Sequence, residues 1–187
     1  MNLGTRWIGR AALAAVMAMA AAGAAAAGEA NGIRGYEQGR WVVSGSLGVG
    51  LASTYGGDGS PLLAVTAETG VTPNVSVGGS AGMASSKYSA YGYSAKYTYS
   101  VVAARASYHF VQVMPEKPLD LYAGVSLGYN HVGVSESGAL YGYDVGASYV
   151  LYGVHGGARW YLNPRTAVFG ELGYGLGALA VGASIRL

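Results

Sequence analysis

Six charged side chains interrupt segments that otherwise alternate between apolar and small residues: Glu68, Arg105, Asp120, Arg159, Glu171 and Arg186. Paired carboxylates can do general acid–base work. Arginines beside them hold both ionised, however, and leave no acid with a raised pKa to give up a proton. The three histidines, His109, His131 and His155, have no partner at metal-ligand spacing, and the chain has no Cys. No metal centre is expected. Acyl transfer needs a Ser, a His and an acid grouped together, and by sequence only His131 with Ser135 and Glu136 offers that. Gly48-Val49-Gly50 and Gly173-Tyr174-Gly175 resemble fragments of a dinucleotide fingerprint, but no helical segment follows either, so the phosphate-binding mechanism is missing. No catalytic, cofactor or metal residue is assigned.

The elements that must position these charges come from composition and periodicity. The 187 residues include 32 Gly, 16 Tyr, 2 Phe and no Cys, and 11% are charged. So much Gly excludes a long-helix protein. So much apolar residue excludes a charged disordered chain, and zero Cys excludes a disulfide scaffold. Residues 1–27 read as a secretory signal peptide: Arg6 and Arg10, the uncharged run Ala11–Ala22, then small residues at Ala24–Ala27. The run is short for a spanning helix. Without Arg6 and Arg10, nine basic residues face nine acidic ones. That balance offers nothing to neutralise phosphates, so nucleic acid is excluded as a partner.

Residues 28–39 read as a flexible, Gly-rich lead-in, and residues 40–187 as one domain of eight strands with strict period-two alternation. The strands run over Trp41–Leu51, Leu62–Val71, Val75–Met83, Val102–Phe110, Leu119–Asn130, Tyr152–Leu162, Val168–Leu176 and Leu179–Leu187. Ser53–Ser60, Ser85–Lys96 and Gly133–Ser148 read as long polar loops, and Thr72-Pro73-Asn74 and Asn163-Pro164-Arg165 as tight turns. No strand is a continuous apolar run, which excludes a parallel α/β sheet. Consecutive hairpins with long loops at one end and short turns at the other predict an all-β, eight-stranded antiparallel up-and-down transmembrane barrel.

Residue size decides which face is outside. One face carries Leu, Val, Ile and aromatics; the other carries Gly, Ser, Ala and the six charges. An eight-stranded barrel is just wide enough inside for side chains to fill it, so the small polar face is expected inside and the apolar face against lipid. Trp41, Tyr108, Phe110 and Trp160 then form one aromatic girdle at the short-turn end, and Tyr129, Tyr152 and Tyr174 a second near the long-loop end. Inside, Glu68, Arg105, Asp120, Arg159, Glu171 and Arg186 share the short-turn end, where burial requires them to pair. A salt-bridged plug is the expected result, with an ion or proton path as the alternative. Tyr88, Tyr91 and Tyr93 are expected to form a recognition surface in the second loop, unless the strands simply extend with Tyr on them.

Gly157–Leu187, with RWYLNP, AVFGELGYG and VGASIRL, resembles the closing strands of the OmpA/OmpX-type small outer-membrane β-barrels. Gly182, Ile185 and Leu187 resemble that family's assembly signal, with Leu187 where the family usually carries an aromatic. The resemblance implies an outer-membrane address, periplasmic termini, and a monomer in contact with outer-membrane lipid, lipopolysaccharide and the barrel-assembly machinery. It implies no cofactor and no enzymatic activity. No wall-binding domain is expected after the barrel. The function expected is a structural or surface-interaction role, with a narrow solute channel as the alternative and a lipid-modifying enzyme behind it.

Overall fold

The computed structural model describes residues 34–50, 58–90, 93–111, 118–137 and 145–187. The stretch read as a signal peptide, the first residues of the lead-in, Tyr91 and parts of three other connections lie outside them.

Alternation over a Gly- and Val-rich chain gives strands throughout. They are β1 (Trp41–Gly50), β2 (Asp58–Gly59), β3 (Leu62–Gly70), β4 (Val75–Ala90), β5 (Tyr93–His109), β6 (Leu119–Ser137), β7 (Val145–Tyr161), β8 (Thr166–Tyr174) and β9 (Gly177–Arg186). Every pairing is antiparallel, and sequence neighbours pair from β3 through to β9. β1 pairs with both β3 and β9, which closes the barrel. The two-residue β2 continues the line of β3 along β4, so the wall has eight staves. Ser60 and Pro61 separate the two pieces, because Pro cannot donate to a ladder; Ser60 instead bonds Ser85 through its backbone and its hydroxyl. Closure pairs β1, β3, β8 and β9 on both sides, while β2 pairs with β4 alone and residues 145–153 of β7 with β6 alone.

The staves differ in length from expectation. Ser85–Lys96 is not a loop: β4 runs to Ala90 and β5 starts at Tyr93. Likewise β6 reaches Ser137 and β7 starts at Val145, which shortens the connection expected over Gly133–Ser148. Ser, Thr and Tyr pair well on a pleated surface, and the buried inner positions Ser86 and Ala95 are too small or polar to show as an apolar alternation. As a result β4 to β7 form a wall taller than β1, β3, β8 and β9.

Parity places Leu63, Val65, Val102, Val125, Leu127, Val150 and Leu172 on the outer surface, all exposed. Leu176 departs from expectation. Gly175 adopts φ +102°, and the turn swings Leu176 inward onto a buried cluster. The barrel is too tight for a methyl at some inner glycines. A Cβ on Gly124 would strike the Ala106 carbonyl and the His155 ring, whereas one on the outward Gly45 would meet nothing. Gly124→Ala should therefore cost about 2 kcal/mol of stability, and Gly45→Ala less than about 0.5 kcal/mol. Urea unfolding followed by tryptophan fluorescence checks this; equal midpoints would contradict the inner packing.

Candidate functional site

The expected charges do converge inside the barrel. Arg105 on β5 donates from Nη1 and Nη2 to the two carboxylate oxygens of Glu171 on β8, at 3.2 and 2.7 Å. This two-pronged bond is the strongest form of an arginine–carboxylate pair. Tyr122 Oη donates to Glu171 as well, at 3.1 Å. Arg159 on β7 donates to Asp120 Oδ2 at 3.2 Å and lies 3.7 Å from Glu68 Oε2, while Arg105 approaches Glu68 Oε1 at 3.8 Å. Glu68 on β3 thus joins the two arginines. Arg159 is 4% exposed, and the Tyr122 ring beneath it, 5.1 Å away, adds a cation–π contact.

The histidines extend the network. His109 Nδ1 donates to Asp120 Oδ1 at 2.7 Å, since an ionised carboxylate only accepts. Its Nε2 shares a 2.9 Å bond with Ser76 Oγ. Ser107 Oγ donates to Glu68 at 3.0 Å, which leaves it accepting from His155 Nε2, also at 3.0 Å. Ser76, His109 and Asp120 have the distances of a charge relay, but Ser76 is 3% exposed and no acyl carbon can reach it. The grouping expected at His131, Ser135 and Glu136 does not form. His131 and Ser135 lie four residues apart on β6, about 13 Å, and His131 instead bonds Ser148 Oγ on β7 at 2.9 Å.

Arg186 has a partner the sequence did not indicate. It does not join the strand acids. Nη1 donates to Glu37 Oε1 at 3.2 Å, and Nη2 to the carbonyls of Arg34 and Gly35, while the guanidinium stacks 3.9 Å from the Tyr161 ring. The lead-in is therefore not free from residue 34 onward: it crosses the mouth of the barrel. Tyr36 stacks on His109 at 3.9 Å, and its hydroxyl donates to the Thr72 and Val75 carbonyls, both at 2.8 Å. Burial, with Asp120 and Glu68 nearby, pushes the Tyr36 phenol up to about 12, so it stays a donor at neutral pH. Small and polar residues in a lead-in look loose in sequence; here the backbone carbonyls and one ring do the docking.

Beyond the charges, toward the tall-wall end, the interior is mostly apolar, with Asn130 fully buried opposite Val101. Leu62, Ala84, Tyr99 and Val101 are buried there, with Tyr97, Val132, Leu151 and Leu176 packed against them. Tyr97 and Tyr99 fall next to the stretch read as a loop, which is why the sequence did not reveal this layer. A cavity of about 50 Å³ remains between the layers, bordered by Arg105, His155, Glu171, Ser126, Leu62 and Val101. On the outside, Trp41, Tyr108, Phe110 and Trp160 are exposed near the chain ends, and Tyr129, Tyr152 and Tyr174 are exposed further along. Tyr88 is exposed at the end of β4, and Tyr93 begins β5. The outward Ile185 of β9 and the following Leu187 are exposed, while a side chain at Gly182 would meet the Phe169 ring.

Removing Arg159 leaves Asp120 and Glu68 short of a buried counter-charge. Arg159→Ala should cost about 3 kcal/mol, read as a lower urea midpoint; an unchanged midpoint would remove the network from the stability of the barrel. Tyr36→Phe should cost about 1 kcal/mol for its lost hydrogen bonds, and Tyr36→Ala more, in the same assay.

No protein-family model matches the chain, and no curated protein does. Solved structures match by shape. A major outer membrane protein of Thermus thermophilus has 18% identity and a TM-score of 0.54, covering 81% of this chain and 100% of that one. Ail, the attachment invasion locus protein of Yersinia pestis, crystallised with the heparin analogue sucrose octasulfate, has 13% identity and a TM-score of 0.54, covering 81% and 100%. Neisserial surface protein A has 15% identity and a TM-score of 0.52, covering 79% and 94%. The chain has the fold of the small, eight-stranded outer-membrane β-barrels.

Proposed function

We propose that the protein is an integral outer-membrane barrel with a structural or surface-interaction role, its lumen closed and its interaction surface on the tall wall. The observation that carries this reading is the double layer inside. The Arg105–Glu171 and Arg159–Asp120 pairs lie below, and the Leu62–Tyr99–Val101 cluster lies above. An ion crossing the barrel would have to break buried pairs and then pass apolar side chains, where it has no hydration. The space between the layers suits a few waters and no solute.

The outside supports the membrane. Exposed Val and Leu cover the strand faces between two aromatic sets, in the pattern of a lipid belt with girdles. Chain ends and tight turns share one end, where Leu187 N bonds Trp41 O at 2.8 Å; that end is assigned to the periplasm. The outward alternation of β9, with Ile185 and Leu187, is the feature offered to the assembly machinery. The tall wall, with Tyr88 at its rim, then stands outside the cell. No catalytic role is assigned: the Ser76–His109–Asp120 array is buried beneath Tyr36.

Conductance tests this. The chain is refolded into a planar lipid bilayer, insertion being verified by heat-dependent gel mobility. Electrical silence is expected. Reproducible single-channel steps would overturn the closed lumen in favour of the channel reading.

A further inference from the structure

Among the described residues, six buried side-chain atoms have no hydrogen-bond partner: Nε of Arg105, Arg159 and Arg186, both amide atoms of Asn130, and Nδ1 of His155. A buried polar group left so is costly, and each one calls for a physical account. Arg159 and Arg186 have one, since each guanidinium lies against a ring, of Tyr122 and Tyr161 respectively. Asn130 stands outside the border of the interior cavity. Arg105 and His155 remain. Each is 8% exposed, and both border the same cavity of about 50 Å³ between the charged and apolar layers.

The two atoms make opposite demands. Arg105 spends Nη1 and Nη2 on Glu171. Its Nε lies 3.8 Å from Glu68 Oε1, too far for a hydrogen bond, so Nε–H still has a proton to give. Ser107 gives its one hydroxyl hydrogen to Glu68 and therefore accepts from His155 Nε2–H. Nδ1 is then the bare lone pair of a neutral imidazole. A second proton there would set an imidazolium beside the Arg105 guanidinium in the same cavity, where like charges repel.

A ligand for this space must accept from one wall and donate to the other. An anion would take the Arg105 proton and offer Nδ1 nothing. An alkali cation would take the Nδ1 lone pair and face Nε–H. Water does both. The rest of the border agrees. Thr66 Oγ1 and Ser80 Oγ share a 2.9 Å bond, and whichever accepts it keeps its own hydrogen for another partner. Leu62, Val101 and Leu176 border the cavity from the apolar layer. The volume holds about three waters at most.

We propose that this cavity is a binding site for ordered water, which accepts from Arg105 Nε–H and donates to His155 Nδ1, directly or through a second water. The water closes a ring that side chains leave open: Arg105, water, His155, Ser107 and Glu68, which approaches Arg105 again. Strands β3, β5 and β7 meet in that ring, and Glu171 ties β8 to it. The water is thus a built part of the charged layer and not a stretch of a path through the barrel.

The test is a crystal structure of the refolded chain in detergent, with parallel crystals soaked in bromide and in rubidium. A light-atom density peak is expected within hydrogen-bond distance of Arg105 Nε, with no anomalous signal there in either soak. His155→Phe keeps a ring and removes the acceptor, and its crystals should lose the peak. Nitrogen NMR of the unsubstituted chain gives a reading that does not depend on the variant folding: His155 should carry one ring proton, on Nε2, with Nδ1 an acceptor. A bromide signal would make the cavity an anion site, and a rubidium signal a cation site. Either one, a map without the peak, a peak unchanged in His155→Phe, or a proton on Nδ1 overturns the water site. None of these outcomes bears on the membrane reading, which conductance and insertion test separately.

Discussion

Arg159 is a guanidinium in a space too narrow for bulk water, and its neighbours are arranged around that fact. Its charge is balanced by Asp120 from β6 and Glu68 from β3, and Glu68 is shared with Arg105, which is held by Glu171 from β8. Five staves are therefore joined by one network. Sliding any of them by one residue would turn its charge to the outer face of the barrel and leave a partner buried alone. The pairs thus act on register more than on net stability. Buried ion pairs are often no better than apolar packing energetically, but apolar packing tolerates a slip that these charges do not.

The two interior layers divide the work. The charged layer fixes which residue faces which. The apolar layer of Leu62, Tyr99, Val101 and Leu151 has no such selectivity, but it fills the interior beyond the charges with side chains. Aromatic rings link the two kinds of chemistry: Tyr122 gives its hydroxyl to Glu171 and its face to Arg159.

Much of this is legible in the sequence alone. Period-two alternation located the staves, and parity alone sent Glu68, Arg105, Asp120, Arg159 and Glu171 inward to one end. Legibility failed where a local pattern does not encode its surroundings. Ser85–Lys96 shows no hydrophobic alternation, because its buried inner positions Ser86 and Ala95 are small or polar, yet β4 runs to Ala90 and β5 starts at Tyr93. Leu176 obeyed parity in sequence and broke it in space, through the left-handed backbone at Gly175. Tyr122, Tyr161 and Phe169 fall on the inner face and have no place in that reading, because only the girdle aromatics are read from the pattern. The partner of Arg186 could not be read from any strand, since it lies in the lead-in, where carbonyl oxygens leave no trace in sequence.

That last contact has a consequence for the order of events during folding. Arg186 meets Arg34 across a separation of 152 residues, and β9 meets β1 across nearly the whole domain. Contacts this distant in sequence make formation slow, and until they form, β1 and β9 each present an unpaired edge open to foreign strands. The guanidinium at the end of β9 can be neutralised by Glu37 only once that edge has found β1. A half-closed barrel is thus left with an uncompensated cation at its seam, so electrostatics and hydrogen bonding penalise the same intermediate and disappear as penalties in the same step.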